Sequence, residues 1–151
     1  MSPEQFKIHL QRQQQSVSRA ITKQLPKIIG KRAVSIFKIN FQLEVFQDGG
    51  VEKWQVVKRH TNPRTIGTAK TRKILTGKTG DLGRSLKYET GVASVTVYSD
   101  VIYADVHNEG LRAGRGKGFK MPKRQFIGDS KEIDDMIERE IDQAINKILK
   151  H

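Results

Sequence analysis

Apolar residues recur at helical spacing through the first 45 positions of the chain. Ser2, Pro3 and Gln5 form a helix-start signature, because serine can cap the first turn, proline fits the first helical position and glutamine can close a capping box. Two apolar stripes follow, at Phe6, Leu10, Val17, Ile21, Leu25 and Ile28, and then at Ile29, Ala33, Ile36, Phe37, Phe41 and Val45. Pro26 is expected to end or kink the first helix, and Asp48-Gly49-Gly50 to end the second. The stripes predict core helices; the alternative is a face that packs on a neighbouring subunit, which the glutamine run in the first stripe favours.

The strongest helical pattern lies near the C-terminus, over residues 130–149. Asp129 or Ser130 is expected to open this helix, and Glu132 completes a capping pattern that starts from Asp129. Acidic residues crowd its first half, and Lys147 and Lys150 stand near its end, as the helix dipole favours. One apolar stripe runs along the helix, formed by Ile133, Met136, Ile137, Ile141, Ala144, Ile145 and Ile148. This stripe predicts that one face of the helix packs on the core.

Between these helical ends, alternation of polar and apolar residues predicts a β-hairpin over residues 85–99. Its inward positions are expected to be Leu86, Tyr88, Val95 and Val97. Residues 101–109 are predicted to form a short helix closed by Gly110, and residues 119–121 a short strand. The single tryptophan, Trp54, is expected to anchor the core where the helical part ends.

Together these elements predict an α+β fold in which a small antiparallel sheet, led by the 85–99 hairpin, packs against long helices. The 151 residues are expected to form a single domain. Within it, N-terminal helices occupy residues 1–47, a region of loops, hairpin and corner occupies residues 54–128, and the C-terminal helix occupies residues 130–149. The apolar fraction of 36% is below the usual value, which indicates a modest core with extended polar segments.

The charge of the chain narrows the choice of partners. A net charge of +12 and an isoelectric point near 10.1 favour polyanions or acidic protein surfaces. Positive residues concentrate in segments 58–78 and 112–124, and glycine and charge predict mobile loops over residues 58–78 and 111–119. The candidate partner- or phosphate-contacting residues are Lys58, Arg59, Arg64, Lys70, Arg72, Lys73, Arg112, Arg115 and Lys117. Because aromatic side chains are scarce there, any nucleic acid would be held weakly and non-specifically through its phosphates.

The sequence offers no catalytic, cofactor-binding or metal-binding constellation. Cysteine is absent, which excludes disulfides and thiolate zinc sites. Gly77-Lys78-Thr79 lacks the upstream glycine of a nucleotide-binding loop, because Arg72 stands at that position. His107 alternates with Asp105 and Glu109, a spacing that fits one helix face poorly, and no nucleophile elbow is present. No apolar run is long enough to span a membrane and no signal pattern opens the chain, so we expect synthesis in a cytoplasm.

Four short blocks, punctuated by glycine or aromatic residues, follow one another in the second half of the chain. They read Ile74-Leu75-Thr76-Gly77, then Gly80-Asp81-Leu82-Gly83-Arg84-Ser85-Leu86, then Tyr103-Ala104-Asp105-Val106-His107-Asn108-Glu109-Gly110, and finally Met121-Pro122-Lys123-Arg124-Gln125-Phe126-Ile127-Gly128. In this order and spacing they resemble the bacteriophage virion morphogenesis family, the tail completion proteins of Mu-like phages and prophages. The resemblance runs from about Trp54 to the last helix. Its motif residues are Trp54, Gly77, Gly80, Leu82, Tyr103, His107, Gly110, Pro122, Arg124, Phe126 and Gly128.

The resemblance implies a phage structural or assembly protein of the tail end or head–tail neck, with no enzymatic activity. Such a protein would associate with itself in a ring, dock on tail or neck proteins, and pass from the bacterial host cytoplasm into the virion. It also implies that His107 orders a turn and that the corner from Pro122 to Gly128 is structural. In that corner Phe126 is expected to enter the core and Arg124 to pair with a carboxylate. The alternative is a basic nucleic-acid-binding module that uses loops 58–78 and 112–124.

Overall fold

A computed structural model describes residues 1–150 and has the α+β fold that the sequence predicts. Its helices are α1 (Pro3–Arg19), α2 (Leu25–Leu43), α3 (Lys58–Thr61), α4 (Thr68–Thr71), α5 (Asp81–Arg84), α6 (Ala104–Glu109) and α7 (Lys131–Leu149). Its strands are β1 (Val45–Gln47), β2 (Val51–Lys53), β3 (Leu86–Gly91), β4 (Ser94–Ser99), β5 (Arg112–Ala113) and β6 (Phe119–Lys120). The strands pair as three separate antiparallel hairpins, β1–β2, β3–β4 and β5–β6.

A turn of π-helix, Ala20–Gln24, joins α1 to α2, so Pro26 does not end the helical segment. Within this turn the Leu25 amide donates to the Ala20 carbonyl, five residues back. Proline has no amide hydrogen to offer the carbonyl four residues before it. That carbonyl belongs to Thr22, and it accepts a long 3.5 Å hydrogen bond from the amide of Ala93 in the β3–β4 turn.

The two apolar stripes of the N-terminal segment differ in burial. Most of the second stripe is buried on α2, whereas Phe6, Leu10, Ile21 and Ile28 of the first are exposed. The prediction that the first stripe packs in the core is therefore wrong for most of its members. α2 ends at Leu43 because Glu44 turns into the left-handed region at φ 58°. Val45, predicted as the last helical position, instead lies in β1, and Asp48-Gly49-Gly50 is the turn of the β1–β2 hairpin.

The start of α7 differs in detail from the predicted capping pattern. The N-cap is Ser130, whose hydroxyl oxygen accepts the Ile133 amide at 3.4 Å. Glu132 does not cap the helix, because its carboxylate accepts the Gly49 amide at 3.2 Å. Asp48 in turn accepts the Lys131 amide at 2.9 Å. The β1–β2 turn is thus fastened to the first turn of α7.

The core lies where α2 packs against α7 and against the β3–β4 hairpin. At its centre the Phe41 ring contacts two aromatic rings, that of Trp54 at 5.6 Å and that of Phe126 at 4.9 Å between centroids. The predicted 85–99 hairpin is confirmed. Tyr88 lies against α2 so closely that a Cβ added at Gly30 would come within 2.3 Å of its ring. Glycine at this position therefore lets the hairpin approach the helix.

The two basic segments are more ordered than the predicted loops. Segment 58–78 contains the one-turn helices α3 and α4, and residues 112–120 form the β5–β6 hairpin. The strand predicted at residues 119–121 is confirmed as β6, and the helix predicted at residues 101–109 starts three residues later, as α6. The mobility of these segments stays a prediction.

Candidate functional site

The four motif blocks converge on one cavity of about 330 Å³. Each block contributes to its lining, together with Val57, Arg59 and Thr79. The lining residues are Val57, Arg59, Leu75, Thr76, Gly77, Thr79, Asp81, Leu82, Tyr103, His107, Met121 and Arg124. Four blocks that are separate in the sequence thus lie next to one another in the fold, around the same cavity.

Two glycines let the backbone turn sharply around this cavity. Gly80 is left-handed at φ 71° just before α5, whose Leu82 is buried. Gly110 is left-handed at φ 68° and ends α6. A Cβ at Gly110 would lie 2.9 Å from the Lys123 amide nitrogen, so a side chain there would push the 121–128 segment away.

The 121–128 corner is held by hydrogen bonds from two other elements, α6 and α2. The Arg124 amide donates to the His107 carbonyl at 2.8 Å. Asn108 Oδ1 accepts the amides of Phe126 at 2.9 Å and of Ile127 at 3.0 Å. Asn40 Nδ2 donates to the Phe126 carbonyl at 3.2 Å.

Two further contacts complete the corner. Trp54 Nε1 donates to the Gln125 carbonyl at 2.8 Å. The side chain of Gln125 lies where a Cβ on Gly128 would be, at 2.2 Å, so this glycine leaves room for it. Pro122 is half-buried, and Phe126 is 1% exposed. The motif residues of this block therefore lie in or against the core.

Asn40 and Asn108 hold this corner by hydrogen bonds, and sequence reasoning predicts a role for neither. Asn40 is a polar residue one position before Phe41 in an apolar helical stripe, and it is almost fully buried. A buried amide needs partners, so its position was a detectable signal. Asn108 stands inside a motif block, but nothing in the sequence indicates that its oxygen holds two distant amides.

Three nitrogen-bearing side chains line the cavity, and none of them forms an ion pair with a carboxylate of the described chain. The Arg124 side chain is 4% exposed, and its Nε donates to the Gln55 carbonyl at 3.0 Å. Arg59 Nη2 donates to the carbonyls of Arg72 at 3.0 Å and Lys73 at 2.9 Å. Arg59 Nε and His107 Nδ1 are buried with no hydrogen-bond partner. Among residues 1–150, no carboxylate oxygen lies within 4.0 Å of either guanidinium, so the described chain does not supply the carboxylate partner predicted for Arg124.

The electrostatics of the cavity follow from burial and from these like charges. Burial, and then the positive charge of Arg124, lower the pKa of His107 below 6.5. Burial, and then the positive charge of Arg59, lower the pKa of Arg124. The one acid in the lining, Asp81, is engaged elsewhere: hydrogen bonds from Thr79 and from Arg84 (2.7 Å) lower its pKa.

The predicted contact residues divide into two groups. Seven of them are exposed, namely Lys58, Arg64, Lys70, Lys73, Arg112, Arg115 and Lys117. The other two, Arg59 and Arg72, are half-buried. Some of these make backbone contacts: Arg112 donates to the Lys117 carbonyl and Lys73 to the Gln42 carbonyl. Arg59 and Arg124 come from different basic segments, and the cavity is where the structure brings them together.

A second feature is a groove of about 730 Å³ between α1, α2 and the C-terminal half of α7. α1 buries none of its residues. Basic side chains line the groove from both sides, namely His9, Arg12, Arg19 and Lys147. Its one acid, Glu140, is buried and paired with Arg32 at 2.7 Å, which ties α7 to α2.

The opposite face of α7 is acidic and exposed. Asp134, Glu138 and Asp142 are four residues apart and therefore share one side of the helix. At about 100° per residue, Gln143 and Lys147, which line the groove, lie on the other side. A protein with a strong positive charge thus presents a negative stripe and a positive groove on two sides of one helix.

Within residues 1–150, the histidine, aspartate and glutamate side chains form no group of three or more that could ligate a metal ion. None of the helices in this described part of the chain has the length and apolar character needed to cross a bilayer.

The structure therefore defines an α+β fold in which short motif blocks surround a cavity lined by two arginines. The sequence model of the phage virion morphogenesis family matches residues 2–146, and the protein belongs to this family. The match reaches almost to the N-terminus, well beyond the resemblance seen from Trp54 onward. No curated protein and no solved structure matches the chain. Membership indicates a role in virion morphogenesis, suggests a structural protein and not an enzyme, and implies association with the virion and with other phage proteins.

Proposed function

We propose that the protein is a structural assembly protein of the phage tail end or head–tail neck that associates with itself and docks on other virion proteins. The observation that carries this proposal is the charge separation across α7. The acidic stripe of Asp134, Glu138 and Asp142 is complementary to the basic groove lined by Arg12, Arg19 and Lys147.

The occupant we assign to the groove is the acidic stripe of a second copy of the chain. The lengths are compatible, because at 1.5 Å per residue Arg12 and Arg19 are about 10 Å apart along α1 and Asp134 and Asp142 about 12 Å apart along α7. Stripe and groove are different patches, so the contact is head-to-tail, and repeated contacts of this kind give a ring if the rotation closes. The exposed apolar side chains of Phe6 and Leu10 on α1 are available to add an apolar part to the interface.

The alternative function, weak and non-specific contact with nucleic acid, has its own supporting observation. Lys58, Arg64, Lys70, Arg115 and Lys117 are exposed and available to phosphates. Such contacts would weaken steeply with salt and would show little preference for sequence.

Charge reversal tests the self-association. We expect the triple variant Asp134→Lys, Glu138→Lys, Asp142→Lys and the double variant Arg12→Glu, Arg19→Glu each to lose association in sedimentation velocity runs at increasing protein concentration. Mixing the two variants should restore it, because the reversed groove and the reversed stripe again attract. The matched control is Glu52→Lys with Asp105→Lys, which reverses two exposed acids outside the stripe.

Two results would contradict the proposal. One is a wild-type protein that stays monomeric at millimolar concentration and also ignores purified tail tubes. The other is equal association of the wild type and both reversed variants. Tight, sequence-specific DNA binding at physiological salt would favour the nucleic-acid alternative.

A further inference from the structure

The motif cavity contains two guanidinium groups that no carboxylate of the described chain contacts, and its one acid, Asp81, is hydrogen-bonded to Thr79 and Arg84. Arg59 and Arg124 both line it, each pairs only with backbone carbonyls, and Arg124 is almost fully buried. The buried nitrogens Arg59 Nε and His107 Nδ1 have no hydrogen-bond partner. Removing a charge from water is costly unless an opposite charge or full hydrogen bonding compensates. These two unpaired nitrogens belong to residues that line the same cavity as the two guanidinium groups.

We propose that this cavity is a binding site for the side-chain carboxylate of an acidic residue on another virion protein. A guanidinium presents its donors in a planar fork that matches a carboxylate, and such charge-assisted bonds are about twice as strong as neutral ones. Burial and Arg124 lower the pKa of His107, which favours its neutral ring, so the two arginines are the charged groups that attract the ligand.

The shape and the remaining lining of the cavity favour a protein carboxylate over a nucleic-acid phosphate. A backbone phosphate is flanked by sugars on both sides, and Arg124 is only 4% exposed, so a polynucleotide cannot bring a phosphate to it. A carboxylate at the end of a short aliphatic stem can enter. Leu75, Leu82 and Met121 provide apolar surface for that stem.

The site is separate from the groove and acidic stripe of the proposed self-association. None of the cavity-lining residues lines the groove. Reversing the charges of Asp134, Glu138 and Asp142 should therefore leave ligand binding at the cavity unchanged. The two proposals can fail independently.

The direct test is a titration of the wild-type protein with a single side-chain carboxylate. N-acetyl-glutamate α-amide is added to ¹⁵N-labelled protein at constant ionic strength, and the Nε–Hε signals of the arginines and the ring signals of histidine are followed. We expect saturable shifts at Arg59, Arg124 and His107. The neutral analogue N-acetyl-glutamine amide should leave them unmoved. Inorganic phosphate and a short DNA duplex are titrated in parallel.

A substitution inside the cavity supplies the missing charge and gives a second readout. Met121 is half-buried in the lining, and glutamate and glutamine have nearly its length. We expect Met121→Glu to melt about 2–4 °C above Met121→Gln at pH 7, the size of shift that one added ion pair produces in a domain of this length. Met121→Glu should also no longer bind the carboxylate probe, because its own carboxylate occupies the site.

The proposal is overturned if the carboxylate probe moves only exposed lysines and arginines, or if Met121→Glu melts no higher than Met121→Gln. It is also overturned if the DNA duplex, and not the carboxylate probe, shifts Arg124 and His107. Shifts caused equally by phosphate and by the carboxylate probe at Arg59 and Arg124 would support an oxyanion site but contradict its selectivity for a protein carboxylate.

Discussion

The motif region, residues 54–128, and the N-terminal arm, helix α1, are stabilised in different ways. Residues 54–128 form short elements that are held by individual hydrogen bonds to backbone groups, such as those that Asn108 accepts from Phe126 and Ile127. α1 is a long regular helix that buries no residue. The conformation of residues 54–128 depends on a few specific hydrogen bonds, and no other side chain replaces them. α1 instead presents a regular exposed surface along its length. Substitutions should therefore affect folding in the first region and association in the second.

The largest contrast is expected between two phenylalanines. Phe126 is 1% exposed and packs on Phe41, so Phe126→Ala should lower the free energy of unfolding by about 3–5 kcal/mol. Phe6 is 53% exposed on α1, and Phe6→Ala should change the free energy of unfolding by less than about 0.5 kcal/mol while it weakens self-association. Urea denaturation and sedimentation measure the two effects. Equal losses of stability in both variants would remove the distinction between the regions.

Two glycines distinguish the stability lost through close packing from the stability lost through backbone strain. Gly110 and Gly116 both have positive φ, at 68° and 63°, but only Gly110 has a backbone neighbour within 3 Å of an added Cβ. We expect Gly110→Ala to lower stability by roughly 2–4 kcal/mol, since left-handed strain and overpacking add. Gly116→Ala should lower stability only through left-handed strain, by about 1–2 kcal/mol. Thermal melts of both variants check the order, and a reversed order would show that the Gly110–Lys123 approach does not matter.

Substitution of Asn108 measures how much this one side chain stabilises the 121–128 corner. In Asn108→Ala the amides of Phe126 and Ile127 lose their acceptor, and a buried unsatisfied donor costs about 1–3 kcal/mol. Asn108→Asp keeps an acceptor oxygen and serves as the matched control. Amide hydrogen exchange at positions 126 and 127 should accelerate in the alanine variant only. Unchanged protection in Asn108→Ala would contradict the role of this side chain.

The smallest effect concerns pH. Burial and Arg124 hold the pKa of His107 below its ordinary 6.5, so the unfolded chain binds this proton more readily than the folded chain. The His107 contribution to stability is therefore complete above about pH 6.5 and is lost as the pH falls below it. In His107→Gln the slope of stability against pH between about 7 and 5 should be shallower than in the wild type. An identical slope in both proteins would show that His107 does not titrate in this way.

Regular patterns in the sequence were enough to predict the long helices and the main hairpin. The part of the second stripe from Ile29 to Phe41 and the alternation around Val97 each report a surface that faces the core. The same reasoning extended the second helix to Val45, because an apolar residue at helical spacing looks the same in a strand that follows directly. It also placed Phe6 in the core, because spacing reports which side of a helix is apolar and not what covers that side.

The cavity could be predicted only in part. The motif blocks were visible, but their convergence depends on contacts between residues far apart in sequence, such as Trp54 with Gln125 and Arg124 with Gln55. No local pattern encodes such contacts. The ordering of segment 58–78 was missed for the same reason, since it depends on Arg59 reaching the carbonyls of Arg72 and Lys73.

The π turn at Ala20–Gln24 sets the rotational phase between α1 and α2. One residue more or less in a helix rotates everything beyond it by about 100° around the helix axis. This short turn therefore decides which residues of α1 line the groove and which are presented to solvent. The core cluster begins at Leu25, so this turn orients a helix that contributes no residue to that cluster.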